Sequence, residues 1–76
     1  MRIDVKLYGE LKKHAPGDQT HFVLTLRPGA TLEEVLKSLS IPDERHVSLI
    51  NGRRANKKAR FEGGDTLVLF PPISGG

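Results

Sequence analysis

Residues 63–70, Gly63-Gly64-Asp65-Thr66-Leu67-Val68-Leu69-Phe70, combine a turn with a run of apolar side chains. Glycine accepts positive φ angles and aspartate favours turns, so the chain is expected to reverse direction just before Thr66. The run from Thr66 to Phe70 predicts an apolar strand. Burial on one face and a neighbour on each edge stabilise such a strand, so we expect it to be central in a sheet.

Two further strands are indicated in the first third of the chain. Residues 2 to 8 alternate strictly, with every second side chain apolar, which is the period of a half-buried strand. A second strand is predicted from about His21 to Leu26, where apolar residues again alternate. The polar residues between them contain the turn Pro16-Gly17-Asp18, so an antiparallel hairpin with a long loop is expected.

A helix is predicted to begin at Thr31. Thr31 and Glu34 are spaced as in a capping box, in which each side chain accepts a hydrogen bond from the other residue's backbone. Pro42 is expected to end the helix, because proline cannot extend the hydrogen-bond ladder. Between them, apolar side chains at helical spacing form one stripe, made of Leu32, Val35, Leu36 and Leu39.

The residues after the helix predict one more strand, from Val47 to Ile50. Asn51-Gly52 closes it, a dipeptide that tolerates the positive φ angles of a tight turn. The basic run from Arg53 to Arg60 is predicted to be a loop. The elements then follow as strand, strand, helix, strand, turn and strand. This order predicts an α+β fold with a mixed sheet wrapped around one main helix.

The composition is typical of one small soluble domain. A chain of 76 residues supports a single core. Hydrophobic residues make up 37%, which is too apolar for a disordered chain. The absence of cysteine excludes disulfides, thiolate metal sites and a thiol nucleophile. No apolar segment approaches the length of a membrane span or a secretory signal, so a cytoplasmic location and no membrane partner are expected.

Three motifs and the order of elements carry a family resemblance across the whole chain. The motifs are Asn51-Gly52 after an apolar strand, Gly64-Asp65 before the last strand, and the tail Phe70-Pro71-Pro72-Ile73-Ser74-Gly75-Gly76. The chain resembles the MoaD/ThiS family of ubiquitin-like β-grasp sulfur carriers. Its tail is similar to the ending of the molybdopterin synthase small subunit. The resemblance implies a ubiquitin-like β-grasp domain over residues 1–70 and a flexible Gly-Gly tail over residues 71–76.

The resemblance also implies a mechanism. An activating enzyme of the MoeB/ThiF type uses ATP to adenylate the terminal carboxylate of Gly76, and sulfur transfer then yields a thiocarboxylate. In the MoaD branch the sulfur goes to the molybdopterin synthase large subunit, for the molybdenum or tungsten cofactor. In the ThiS branch it goes to thiazole synthase, for thiamine. Some relatives are instead joined to target lysines, so a protein modifier is a further alternative. The chain itself is then a carrier and not an enzyme.

The tail residues suit delivery of a carboxylate into a partner's active site. Gly75 and Gly76 lack Cβ atoms, so their backbone fits a narrow channel. Pro71 and Pro72 favour an extended conformation, which lowers the entropy lost when the tail threads. Ile73, as a small apolar anchor, and Ser74 complete the segment predicted to thread. The alternative is an inert, frayed terminus on a plain interaction or RNA-binding module, which the combination of a proline pair with a glycine pair disfavours.

Strand alternation predicts a partner-binding patch. Leu67 and Leu69 must face one way, and Val68 and Phe70 the other. If the leucines meet the helix, Val68 and Phe70 lie on the open face of the sheet beside Tyr8. An apolar patch of this kind is typical of a partner site. The pattern equally allows Phe70 to be a core residue, and the family resemblance favours the interface.

The charged residues are unevenly distributed. Five of the 12 Lys and Arg residues lie between residues 53 and 60, and the net charge is +3. This run is either a solvated loop or a surface that attracts an acidic activating enzyme. Nucleic acid is not expected, because no aromatic residues are interleaved with the basic ones. No metal site is predicted, since the histidines follow no ligand spacing, and without a glycine-rich phosphate loop ATP is expected to bind the partner.

Overall fold

The computed structural model describes residues 1–17, 19–41 and 46–72. Its elements are strand β1 (Arg2–Leu7), a 3-10 helix (Gly9–His14), strand β2 (His21–Thr25), helix α1 (Leu32–Ser38) and strands β3 (Val47–Ile50), β4 (Arg53–Arg54) and β5 (Thr66–Phe70). The predicted order of the main helix and strands is confirmed. The 3-10 helix and β4 are additions to it.

The strands form one mixed sheet in the order β2-β1-β5-β3-β4. Strand β5 is central, as predicted, and lies parallel to β1 and antiparallel to β3. Strands β1 and β2 form the predicted antiparallel hairpin, with Val5 opposite Phe22. Because β1 and β5 are parallel neighbours, the chain leaves both strands at the same end of the sheet.

Helix α1 begins as predicted, but only half of the capping box forms. The backbone N–H of Glu34 donates to Oγ1 of Thr31 at 3.4 Å. The Glu34 carboxylate accepts instead from the guanidinium of Arg27. Charge-assisted hydrogen bonds are stronger than those from a neutral backbone N–H, which explains why the Glu34 carboxylate pairs with Arg27 and not with the backbone N–H of Thr31. The first two N–H groups of the helix donate to backbone carbonyls in the segment 57–59.

A backbone motif ends helix α1, so the prediction that Pro42 ends it was wrong. Ser40 has a left-handed backbone with a φ of 58°. Its N–H donates to the carbonyl of Lys37 at 3.1 Å, and the N–H of Ile41 donates to the carbonyl of Leu36 at 2.9 Å. These two bonds form a Schellman motif, and buried Ile41 adds its apolar contact. Pro42 lies outside the described residues.

Two segments that were predicted to be loops carry regular structure. The residues after β1 form a 3-10 helix, which needs only short-range hydrogen bonds and therefore no apolar period. The two residues of β4 pair with β3 across Asn51-Gly52, where φ angles of 53° and 83° fit a type I′ hairpin. Asp18, part of another predicted turn, lies outside the described residues.

The core lies between the inner face of the sheet and helix α1. Its buried side chains form one cluster, made of Ile3, Val5, Leu7, Phe22, Leu32, Val35, Leu36, Ile41, Phe61, Leu67 and Leu69. Leu39 of the predicted stripe packs against this cluster but is only partly buried. A mixed sheet packed on one main helix confirms the predicted α+β architecture. Within the described ranges, no helix is long and apolar enough to cross a membrane.

Candidate functional site

The predicted tail leaves the sheet at the end of β5. Phe70 is the last strand residue, and the half-buried Pro71 and the exposed Pro72 follow it. Neither proline has a backbone N–H, so neither can donate to a neighbouring strand and the ladder stops. The rest of the predicted threading segment, Ile73, Ser74 and Gly75, lies outside the described residues, as does Gly76, the predicted adenylation site.

Pro71 lies against Gly9, at the end of β1. A Cβ atom on Gly9 would lie 2.7 Å from Cγ and 2.9 Å from Cδ of the Pro71 ring, separations that Cβ atoms essentially never show. Gly9 also has a left-handed backbone, with a φ of 58°. The sequence predicts only a turn at Gly9. Its contact with the tail depends on the pairing of β1 with β5, which no local signal reveals.

The structure places Val68 and Phe70 on the open face of the sheet. Leu67 and Leu69 are 0% exposed and belong to the core, whereas Val68 and Phe70 are half-buried on the opposite face. Tyr8, 48% exposed, continues β1 in an extended conformation, and its N–H donates to the Leu69 carbonyl at 2.9 Å. Strand alternation therefore puts Tyr8 on the same face, beside the end of β5.

Strand β3 adds two apolar residues to this face that the sequence reasoning missed. Val47 lies opposite Phe70 and Leu49 opposite Val68, and directly opposed residues share a face. Ser48, between them, is only 5% exposed and points into the core. The Asn51-Gly52 turn fixes the register of β3 against β4 only, so no local signal places Val47 and Leu49 beside β5. We call the five residues Tyr8, Val47, Leu49, Val68 and Phe70 the open-face patch.

Cationic side chains flank the open-face patch on both sides. Lys6 on β1 lies opposite Val68, and Arg54 on β4 lies opposite Leu49. One row across the sheet thus runs from Lys6 through two apolar residues to Arg54. An apolar centre with a charged rim is the usual composition of a protein interface, because the rim stays solvated while the centre is buried. The arrangement suits a partner with acidic residues around an apolar contact.

Two depressions border this surface. A small one of about 220 Å³ lies beside Tyr8 and is lined by Lys6, Leu7, Tyr8, Thr20 and His21. A wider, open one of about 470 Å³ lies under the basic run. Its charged lining residues are Arg53, Arg54, Lys58 and Arg60. We call this second depression the basic groove.

The histidine and carboxylate side chains of the described residues do not cluster. In the part of the chain that the structure describes, no three His, Asp or Glu residues lie close enough to hold a metal ion. His21 lies 3.7 Å from Asp4 at an exposed position on the sheet. The open-face patch lies next to the base of the tail, where Pro71 and Pro72 follow β5.

The sequence matches a known protein family over most of its length. A model of the ThiS family matches residues 5–76, which includes both the sheet and the tail. A search of curated proteins by sequence found no match.

Solved structures share the fold over nearly their full length. SAMP1 of Haloferax volcanii has 25% identity and a TM-score of 0.79, with 100% of both chains covered. A chain in the complex of subunits 1 and 2 of molybdopterin-converting factor from Helicobacter pylori has 20% identity and a TM-score of 0.68, again with 100% of both chains covered. A chain in the BexX/CysO complex of Amycolatopsis orientalis has 20% identity and a TM-score of 0.68, with 97% and 99% covered. The fold is a ubiquitin-like β-grasp.

Proposed function

The chain belongs to the ThiS family of ubiquitin-like sulfur carriers, and on that premise we propose that Gly76 is the group that carries sulfur. An activating enzyme adenylates its carboxylate, sulfur transfer converts it to a thiocarboxylate, and the thiocarboxylate donates sulfur in molybdopterin biosynthesis. The chain is a carrier, not an enzyme, and its proposed location is cytoplasmic.

The observation that carries this proposal is the position of Pro71 and Pro72, the base of the tail, beside the open-face patch. Strand β5 has a hydrogen-bonded neighbour on each side, which makes it a rigid base. It holds Val68 and Phe70 on the open face and passes directly into Pro71 and Pro72. A partner that covers the patch therefore meets the base of the tail in the same binding event. Holding the domain in this way converts the reaction of Gly76 into an effectively intramolecular step.

The proposed chemistry needs no acid or base from this chain. An oxygen of the Gly76 carboxylate attacks the α-phosphate of ATP, and pyrophosphate leaves. Hydrosulfide, or sulfur at that oxidation level supplied by the partner system, then attacks the acyl carbon; AMP leaves with one of the original oxygens, and the sulfur loses its proton to give the thiocarboxylate. The net change is one sulfur in place of one oxygen. ATP is bound by the activating enzyme, of the MoeB/ThiF type, and not by this chain.

We assign the acceptor to the branch of the molybdenum or tungsten cofactor. The Phe70-Pro71-Pro72 element supports this assignment, because it is similar to the ending of the molybdopterin synthase small subunit. The likeness in fold to a chain that is complexed with a second molybdopterin-converting factor subunit supports a large-subunit partner. Thiazole synthase, in thiamine synthesis, is the alternative acceptor.

Reconstitution with a MoeB/ThiF-type activating enzyme tests the activation step. The wild-type chain should support exchange of pyrophosphate into ATP, and a variant without Gly76 should not, because its carboxylate stops one residue short. Gly63→Ala is a matched glycine control, since its added Cβ makes only an ordinary 3.7 Å contact with Met1. The thiocarboxylated chain is then offered to the molybdopterin synthase large subunit and to thiazole synthase. Sulfur transfer to thiazole synthase alone would assign the chain to the thiamine branch instead.

A protein modifier is the second candidate, favoured by the full-length likeness to SAMP1 at 25% identity. In that case the adenylated Gly76 is attacked by a lysine amine of a target protein, and AMP leaves as an isopeptide bond forms. Expression of a tagged chain in its native host should then yield conjugates of high mass. These conjugates should disappear when Gly76 is deleted and should persist in Gly63→Ala.

A further inference from the structure

Gly9 meets two structural requirements at once. Its backbone is left-handed, with a φ of 58°, and its missing side chain leaves the space that the Pro71 ring occupies. A Cβ there would be 2.7 Å and 2.9 Å from two ring carbons. In the described part of the chain, a Cβ would meet nothing within 4 Å at the other glycines with positive φ, which are Gly17, Gly29, Gly52 and Gly64.

The topology places this contact at the base of the tail. Strands β1 and β5 are parallel neighbours, with Leu7 opposite Leu69. The N–H of Tyr8 donates to the Leu69 carbonyl at 2.9 Å, so the chain is tied to β5 up to the residue before Gly9. Gly9 is therefore held by the sheet at the end from which the tail departs, and Pro71 is the first tail residue to contact it.

We propose that Gly9 is a positioning residue for the tail: it seats the Pro71 ring and thereby sets the direction in which residues 72–76 leave the domain. The inference rests on the proposed function, because this direction matters only if Gly76 must reach a partner's reacting atoms. A chain spans at most about 3.3 Å per residue, so Gly76 lies within about 17 Å of Pro71, and a rotation at Pro71 changes which part of that range Gly76 can reach. Misplacing a reacting group by about 1 Å can cost about 100-fold in rate.

The variant Gly9→Ala tests the proposal against the matched variant Gly17→Ala. Gly17 has a φ of 60°, so alanine meets the same backbone strain there without a neighbour within 4 Å among the described residues. Relative to wild type and Gly17→Ala, the variant Gly9→Ala should lower kcat for activation by about 10-fold or more. The KM for the carrier should stay within about twofold, because the open-face patch that docks is unchanged.

A double-mutant cycle with Pro71→Ala separates positioning from a general loss of structure. Pro71→Ala removes Cγ and Cδ, the two atoms that an alanine at position 9 would displace. In the Pro71→Ala background, Gly9→Ala should therefore have little further effect on kcat, and the two changes should be strongly non-additive. In the wild-type chain, a nuclear Overhauser effect between Gly9 Hα and Pro71 Hδ should report the contact without any partner.

The outcomes separate this inference from the function on which it rests. Equal kcat values for Gly9→Ala and Gly17→Ala, additive effects in the cycle, or no Overhauser effect would each overturn the role of Gly9 and leave the proposed function intact. A wild-type chain that no activating enzyme adenylates would overturn the proposed function, and the positioning role with it.

Discussion

Asn51 has a left-handed backbone, and its side chain ties the β3–β4 hairpin to the start of β5. Its φ is 53°. Its Nδ2 donates to Oδ1 of Asp65 at 2.9 Å, and its Oδ1 accepts from the N–H of Thr66 at 2.9 Å. The sequence predicts the turn, because Asn-Gly is a local signal. The two side-chain bonds join distant parts of the chain, so they follow only from the folded sheet.

The variant Asn51→Ala should lower the free energy of unfolding by about 1–3 kcal/mol. It removes both hydrogen bonds and puts alanine, which tolerates positive φ less well than asparagine, into the turn. Urea unfolding measures the change. The control is Asn56→Ala, which removes one local bond, from the N–H of Lys58 to Oδ1, and should cost less than half as much. Equal losses would contradict a joining role for the Asn51 side chain.

At the scale of the elements, the end of helix α1 offers two serines in different backbone conformations. Ser38 is the last helical residue, and Ser40 has a φ of 58°. The variant Ser40→Gly should raise the free energy of unfolding by about 0.5–1 kcal/mol, because glycine has no Cβ penalty there. Ser38→Gly should lower it by about as much. If the helix continued to Pro42, both changes would lower the stability. Thermal unfolding of the two variants therefore distinguishes a helix that ends at Ser38 from one that ends at Pro42.

The sequence predicts only part of the open-face patch, and there is a physical reason why it does not reveal the rest. Val68 and Phe70 follow from alternation along one strand, which is a local property of the sequence. Val47 and Leu49 join them only through the register of β3 against β5. The polar Ser48 gives no hint that it is the buried residue of its strand. Gly9 was missed for the same reason, since its neighbour Pro71 comes from the far end of the chain.

Two valines on the open face test whether the patch binds a partner. Val68 lies in the patch on β5, whereas Val23 lies on edge strand β2, opposite Asp4, and is 55% exposed. The variant Val68→Ser should weaken binding of the activating enzyme by about 10-fold, because central, desolvated contacts dominate an interface. Val23→Ser should stay within about twofold. Calorimetric titration measures both, and equal effects would contradict the patch as the docking centre.

At the scale of the whole molecule, the sequence predicts the α+β architecture and the central place of β5 correctly. These features follow from apolar periods and turn dipeptides, which are local signals. The 3-10 helix and β4 were not predicted, because neither has an apolar period and β4 contains only arginines. Tertiary pairing, not propensity, makes Arg53–Arg54 a strand.

The uneven distribution of charge over the molecule predicts salt-dependent association with an acidic activating enzyme. The double variant Arg53→Gln/Lys58→Gln, in the basic groove, should lower the association rate constant by about 3- to 10-fold at low ionic strength. It should also flatten the dependence on salt, because screening acts on the charges it removes. Lys37→Gln, on the exposed side of helix α1, is the control. Stopped-flow rates that are the same for both variants would contradict a steering role.

The central claim is that Gly76 carries the sulfur, and mass spectrometry of the chain tests it most directly. The chain is incubated with its activating enzyme, ATP and a sulfur donor, and the intact mass and the C-terminal peptide are then measured. We expect the mass to rise by the difference between one sulfur and one oxygen, with the change located on Gly76 and absent without ATP. An unchanged mass with a competent activating enzyme, or a sulfur located on any other residue, would contradict the account.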